Sequence, residues 1–430
     1  MRKLWLVLVI NVLVLGTVGA GLAQAKLDPS FGQNGVVPVQ LPGDGPPNYE
    51  SVSAMAAAHD GTAYVLTRST SCPVNAPCTT TRRLYRYGSD GLRDAAFGGP
   101  AGYYELPQEA GEESLLAVDS QGRPLVAQVN DARLVVRRVT TTGSLDAGFG
   151  VEGAVSFECD CAARNARLVP GAAGTLSIAM PGTGEGFGHK GTPITLFRLR
   201  ADGTLNPRFG GQGVSKLSLT SSESLVVTAA VSGGGLYLAG SGCCEPAPPA
   251  GIVRVSAKGR FDKRFEKAAR HSLGLVKQLH GKQIRVGAVL VRPAGTIELL
   301  GSTGYEKRGF QLRLNPNGTL HRKFGKQGLR MLPEPVSNAA LGSGGATLAL
   351  SSNGLTNKTF LARVLSSGKL DRSFDPEAIS MFAGRYGVNV VPVAGRKVLV
   401  LDPGIEACRS YCAPKPQLIR LLEGSPGKRR

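Results

Sequence analysis

Apolar residues in this chain come in short runs of strand length, each ended by glycine, proline or a small polar cluster. The first unit reads Gly35-Val36-Val37-Pro38-Val39, then Ser51 to His59, a turn at Asp60-Gly61, Tyr64-Val65-Leu66 and Arg83-Leu84-Tyr85-Arg86-Tyr87. The second turns at Gln121-Gly122, between Leu115-Leu116-Ala117-Val118 and Leu125-Val126-Ala127. Later units turn at Gly174, Gly233-Gly234-Gly235, Gly295, Gly344-Gly345 and Gly395. Glycine at those places supplies the positive φ that tight hairpins need. The pattern predicts four short strands per unit.

Between units the chain repeats a tag. Its copies are Leu27-Asp28-Pro29-Ser30-Phe31-Gly32, Arg93-Asp94-Ala95-Ala96-Phe97-Gly98, Leu145-Asp146-Ala147-Gly148-Phe149-Gly150 and Leu205-Asn206-Pro207-Arg208-Phe209-Gly210. Three more follow: Phe261-Asp262-Lys263-Arg264-Phe265-Glu266, Leu320-His321-Arg322-Lys323-Phe324-Gly325 and Leu370-Asp371-Arg372-Ser373-Phe374-Asp375. Their phenylalanines are separated by 66, 52, 60, 56, 59 and 50 residues, a spacing that marks a repeat architecture. The last unit ends on Gln417-Leu418-Ile419-Arg420-Leu421-Leu422-Glu423-Gly424, a strand and glycine with no tag behind them, and the missing tag is the one at Leu27. The expected fold is therefore all-β: a seven-bladed β-propeller of four-stranded antiparallel blades, its ring closed between the N- and C-termini. An open superhelix with capped ends is the alternative. The repeats run approximately 27–92, 93–144, 145–204, 205–260, 261–319, 320–369 and 370–424, with a basic tail at 425–430.

The tag form Gly-x-Leu-Asp-x-x-Phe-Gly-x-x-Gly, preceded by an arginine-bearing strand, resembles the delta-60 repeat β-propellers over residues 26–424. Departures are Arg93 and Phe261 for the leading Leu, Asn206 and His321 for the Asp, and Glu266 and Asp375 for the Gly. The resemblance implies a bacterial exported propeller and names no activity.

Within the tag, Asp28, Asp94, Asp146, Asn206, Asp262, His321 and Asp371 share one position. A calcium ligand would not be exchanged for imidazole, so the residue is expected to accept backbone N–H groups in a turn, with the phenylalanine as a packing wedge. Arg86, Arg138, Arg198, Arg254, Arg313 and Arg363 each lie eight residues before that position, and Arg420 sits one place out of step with the glycine that follows. These arginines, on what should be the outermost strand, are expected to clasp the next tag.

Residues 1–25 form a basic start, an apolar run from Leu4 to Ala20 and an Ala23-Gln24-Ala25 cleavage box, the pattern of a secretory signal peptide. The expected localisation is export, periplasmic or secreted, with no membrane span after cleavage. Of 50 Lys and Arg, Arg2 and Lys3 lie in that leader, so 48 remain against 31 Asp and Glu, a formal charge of +17. Such a charge suits anionic partners. Nine cations lie between Lys258 and Arg285, and Lys263, Arg264, Lys267 and Arg270 are the candidate patch for an anionic cell-envelope polymer. Specific nucleic-acid binding is not expected, because only Phe261 and Phe265 interleave these cations.

Eight cysteines form the close pairs Cys72/Cys78, Cys159/Cys161, Cys243/Cys244 and Cys408/Cys412. In an exported chain these read as disulfides, with connectivity left open. Their spacing does not match paired zinc clusters, so no metal and no cofactor are expected. All four pairs, with the insertions Pro42–Glu50, Ser69–Thr80, Pro181–Pro193, Glu245–Pro249 and Asp402–Pro416, belong to one face of the ring, opposite the tags and hairpins. Elaborated loops carry function more often than minimal turns. Tyr49, Glu185, His189, Glu245, Arg409 and Tyr411 are the candidate binding-loop residues there.

No G-x-S-x-G elbow, H-E-x-x-H helix or P-loop occurs, and the five histidines share no spacing. The leading expectation is a monomeric, non-enzymatic binding scaffold holding an unknown protein or an anionic polymer. Its rival is a hydrolase or lyase with an active site at the mouth of the central channel.

Overall fold

Strand-length apolar runs become strands, and those strands pair with their sequence neighbours. The structure, a computed structural model, describes residues 26–39, 49–71, 77–108, 113–129, 133–158, 166–182, 192–219, 226–230, 234–241, 250–276, 279, 284–303, 308–353, 358–371, 374, 389–402 and 416–423. The proposed leader and the basic tail lie outside these residues. Within them the architecture is an all-β propeller of antiparallel sheets, most of them four-stranded.

Strands β1 (Lys26–Leu27) and β2 (Val36–Pro38) leave the N-terminus and join the last sheet. The first sheet holds β3 (Tyr49–Ala57), β4 (Ala63–Ser71), β5 (Thr79–Tyr87) and β6 (Tyr104–Glu105). The second holds β7 (Glu113–Val118), β8 (Pro124–Val129), β9 (Arg133–Arg138) and β10 (Ala154–Glu158). The third holds β11 (Arg167–Pro170), β12 (Leu176–Pro181), β13 (Thr192–Leu199) and β14 (Val214–Leu219). The fourth has β15 (Val226–Ala230), β16 (Leu236–Gly240) and β17 (Gly251–Val255), followed by helix α1 (Lys263–Leu275). The fifth holds β18 (Ile284–Val291), β19 (Ile297–Thr303), β20 (Arg308–Leu314) and β21 (Leu329–Leu332). The sixth shows β22 (Asn338–Leu341), β23 (Thr347–Asn353) and β24 (Lys358–Val364) among the described residues. The last combines β25 (Asn389–Val393), β26 (Lys397–Asp402) and β27 (Gln417–Leu422) with β1 and β2, both of which pair with β27.

Successive sheets touch through their first strands: β3 with β7, β7 with β11, β11 with β15, β15 with β18, β18 with β22 and β22 with β25. The core lies in the seams between sheets. Between the first and second, Tyr64, Leu66, Leu84 and Phe97 pack on Val126 and Val139. The second strands β8, β12 and β16 are buried along their whole length. All seven tag phenylalanines are buried, from 0% exposure at Phe31 to 4% at Phe374, which makes them the wedges the repeat implied.

Two expectations are corrected. The arginine strand is the third of its sheet, because in the first, second, third, fifth and last sheets the short strand after the tag pairs outside it, as β10 lies on β9 and β6 on β5. In those sheets the tag is the connection from third to fourth strand. The second correction is the fourth sheet, whose outer place is taken by α1 packed on β17 instead of by a strand. The cause is local. In most tags the sixth residue is glycine; Gly150 has φ 63°, and a Cβ there would come within 2.1 Å of the Ala154 carbonyl oxygen. Glycine lets the chain double back into a strand. Glu266 replaces it in the fifth tag, and the chain continues as a helix, N-capped by Asp262, whose carboxylate accepts from the amides of Arg264 (3.1 Å) and Phe265 (3.0 Å).

Candidate functional site

Cross-strand geometry builds the tag clasp first. The amide of each tag's second residue donates to the carbonyl of the arginine eight before it, from Asp94 to Arg86 (2.9 Å) through Asp371 to Arg363 (2.8 Å). Asp28 donates in the same way to Arg420 (2.8 Å), so Arg420 holds the seventh place. The Asp or Asn side chain accepts from the amide two residues on, at Ser30, Ala96, Gly148, Arg208 and Arg264. That is the Asx-turn role expected of it.

The guanidinium then closes the clasp. Arg86 meets Asp94 at 2.6 Å, Arg138 meets Asp146 at 2.7 Å and Arg420 meets Asp28 at 2.7 Å. Arg363 stands 3.6 Å from Asp371, and Arg254 only 4.0 Å from Asp262. Several also reach a turn of another sheet: Arg138 the Ala201 carbonyl, Arg313 that of Ser366 (2.9 Å), Arg363 that of Glu423 (3.0 Å), and Arg420, on the last sheet, that of Ser89 beside the first. Four lie over their own tag's ring, with Arg313 3.9 Å from the Phe324 centroid. Burial would raise the Asp28 pKa, but hydrogen bonds from Lys397 and Ser30 and the Arg420 charge hold it well below the usual carboxylate range. These contacts make the tag a structural device.

Two buried carboxylate networks escaped the sequence reading. Glu298 is fully buried and accepts from Arg292 (2.6 Å), Arg313 (2.8 Å), Gln311 (2.9 Å) and Thr347 (2.6 Å). Burial would raise its pKa; Arg292 and Arg313 lower it. Glu298 sits directly opposite Arg313 across β19 and β20 and supplies the carboxylate that His321 cannot. Burial and the cations Arg313, Lys323 and Arg292 lower the His321 pKa, which favours the uncharged ring. Glu50 is buried beside Thr67, Tyr85 (3.3 Å) and Arg83 (3.4 Å). Burial and that carboxylate push the Tyr85 phenol up. No sequence signal marks either network, since each joins residues far apart in the chain, and Thr347 reaches Glu298 from another sheet.

Of the candidate binding-loop residues, Tyr49 opens β3 opposite Thr70, and its side chain lies outside the described residues. Glu185, His189, Glu245, Arg409 and Tyr411 lie outside them as well. Cys78 is disulfide-bonded; Cys72, Cys159, Cys161, Cys243, Cys244, Cys408 and Cys412 fall outside the description.

The basic patch is the candidate site the structure does describe. Helix α1 buries Phe265, Ala269, Ser272 and Leu273 on one face, and Phe265 meets the ring of Tyr237 at 5.2 Å. Lys263, Arg264, Lys267 and Arg270 are exposed on the opposite face, and Lys258 and Arg260 are exposed just before it. Glu266 pairs with Arg270 and is the only acidic residue within the helix. The cations are set by the 3.6-residue period of a helix that the strand pattern had not predicted. Among the described residues no helix is long and apolar enough to cross a membrane.

No family model matches this chain, and no curated protein does. Solved structures do resemble it. An outer-coat vertex of the COPII coat on membranes aligns at 10% identity and TM-score 0.45, over 87% of this chain and 84% of that one. The AfRom2 CNH domain aligns at 9% identity and TM-score 0.44, over 87% and 94%. The β-propeller domain of the Trilobed protease from Pyrococcus furiosus, described as having an open velcro topology, aligns at 9% identity and TM-score 0.36, over 78% and 98%. At these values the likeness concerns the fold alone.

Proposed function

We propose that the chain is an exported, non-enzymatic binding scaffold whose helix α1 holds an anionic cell-envelope polymer. The observation that carries this reading is the exposed face of α1, where Lys263, Arg264, Lys267 and Arg270 gather on an element that replaces a sheet-edge strand. A spaced row of cations on a rigid helix suits a repeating polyanion. Export is supported by the pattern of residues 1–25.

The same reading takes the fold as a closed seven-bladed ring of the delta-60 repeat kind. Support comes from the seven sheets among the described residues and from β1 and β2 pairing with β27. The last sheet also touches the first through β26 and β3, and the Ala394 amide donates to the His59 carbonyl (2.7 Å).

Retention of residues 26–430 on immobilised dextran sulfate, with neutral dextran as control, tests the function. The wild type should be held and released by salt. A variant with Lys263, Arg264, Lys267 and Arg270 all changed to Gln should pass through. Equal retention of that variant would overturn the assignment to α1.

A further inference from the structure

A second cluster of cations lies in the seam between the first and second sheets, away from α1. On the first sheet, Tyr64 and Leu66 of β4 and Leu84 of β5 face the second sheet. Side chains alternate along a strand, so Arg68 and Arg82, two positions beyond Leu66 and Leu84, face the same way. They stand directly opposite each other in the ladder. Like charges in that relation repel, and the Arg68 charge lowers the pKa of Arg82, which burial has already depressed.

The second sheet answers with donors. Val126 of β8 and Val139 beyond β9 pack into this seam, which places Gln128 and Arg137 in it by the same alternation. Ser114 of β7 is the cross-strand neighbour of Gln128. Arg137 Nη1 donates to Gln128 Oε1 at 2.5 Å, and this fixes the amide, because a guanidinium has no acceptor. Gln128 Nε2 then points elsewhere and meets no partner, although the residue is only 2% exposed. Arg68 Nε and Ser114 Oγ are likewise buried and unmet. Arg82 and Arg137 are 4% and 5% exposed and each has a contact of its own.

An unmet buried donor is costly, and three in one seam call for an acceptor. We propose that this seam binds an oxyanion group, a phosphate or sulfate, held by Arg68 Nε, Gln128 Nε2 and Ser114 Oγ in the field of Arg82 and Arg137. Oxyanions offer several acceptor lone pairs and negative charge, and guanidinium suits them best. A cavity of about 340 Å³ on the first sheet is lined by Thr79, Thr80, Thr81, Glu105, Leu106, Pro107 and Gln108, and its one carboxylate, Glu105, is paired with Arg83. The Leu106 amide donates to the Arg82 carbonyl (3.0 Å), so the cavity wall and the cation cluster share a strand pair.

The test is calorimetric titration of the mature chain with sodium phosphate and sodium sulfate, at an ionic strength fixed by chloride. A matched series uses a phosphorylated polysaccharide, to distinguish a free ion from a group on a polymer. Saturable binding is expected, weakened at least about tenfold in Arg68→Gln and in Gln128→Leu. It should be unchanged in the α1 quadruple variant, which separates this site from the polymer reading. In phosphate-free buffer Arg68→Gln should melt no lower than the wild type, because it removes a like-charge pair; a residue with a merely structural role would melt lower. Absence of saturable binding in the wild type, or undiminished binding in Gln128→Leu, would overturn the proposal.

Discussion

Arg420 and Arg198 hold the same place in two sheets and end in different surroundings. Arg420 meets the Asp28 carboxylate at 2.7 Å, Ser30 Oγ at 3.0 Å and the Ser89 carbonyl. Arg198 faces Asn206; its Nη2 donates to the Gly234 carbonyl at 2.5 Å and its Nε has no partner. Burial lowers the Arg198 pKa, and among the described residues no carboxylate pairs with it to offset the penalty. Both keep the backbone bond to their tag and the stack on its phenylalanine. The lesson is a division of labour: the backbone bond and the ring set the tag's position, and the carboxylate determines how tightly sheet and tag are held. Arg313 is a third solution, in which Glu298 replaces the lost acid from the neighbouring strand.

The largest effect should come from deleting residues 26–37, which removes Asp28, Phe31 and both N-terminal strands and leaves Arg420 without its acid. Loss of cooperative unfolding is expected, whereas removing 425–430 should leave the melting temperature unchanged. Equal effects on calorimetric melting would refute ring closure. Next comes Glu298→Gln, which leaves Arg292 and Arg313 buried without a counter-charge, at a cost of about 3–5 kcal/mol in urea unfolding. Adding His321→Asp should recover part of that loss by restoring a tag carboxylate beside Arg313. No recovery would mean that Glu298 and the tag acids are not equivalent.

Asp28→Asn should cost somewhat less, about 3 kcal/mol, since Arg420 keeps the Ser30 and Ser89 bonds. Its pH dependence follows from the direction of the shift. The folded pKa of Asp28 lies below its unfolded value, so the stabilisation is fully present above about pH 4. It fades as pH falls below that value toward the folded pKa. Wild type and Asp28→Asn should therefore differ most near neutrality and converge in acid; a constant gap between their stability curves would show that Asp28 acts by shape alone.

How much of this was legible follows from what repeats. The tag, its phenylalanine, the turn-accepting Asp and the arginine eight residues earlier recur in the sequence, and the structure places them as one device. The strand on which Arg86 and its relatives sit was misplaced by one, because pairing runs across the tag and no residue announces that β6 lies on β5. Glu266 was visible as a departure, yet its consequence needed the positive φ of the glycine it replaces. Glu298, Glu50 and Gln128 were invisible for a deeper reason. Each gains its meaning from a neighbour across the ladder, and the register that supplies the neighbour is set by the whole sheet.

The smallest change is the most direct test of the comparison. Asn206→Asp places a carboxylate where Asp146 and Asp28 carry theirs, eight residues from a guanidinium that is only 6% exposed. The side chain is the same size, and the Arg208 amide that Asn206 Oδ1 now accepts (3.1 Å) serves an Asp equally well. The new charge would meet Arg198 Nε, the donor that is unmet now. A gain of about 1 kcal/mol is expected, the scale of one added charge-assisted bond less the cost of desolvating the acid. Arg198→Met should then cost more in the Asn206→Asp background than alone, and the double-mutant cycle measures the coupling directly. Zero coupling would mean that the backbone bond, the Phe209 stack and the Arg198 bond to the Gly234 carbonyl already hold this tag, and that a carboxylate adds nothing to them.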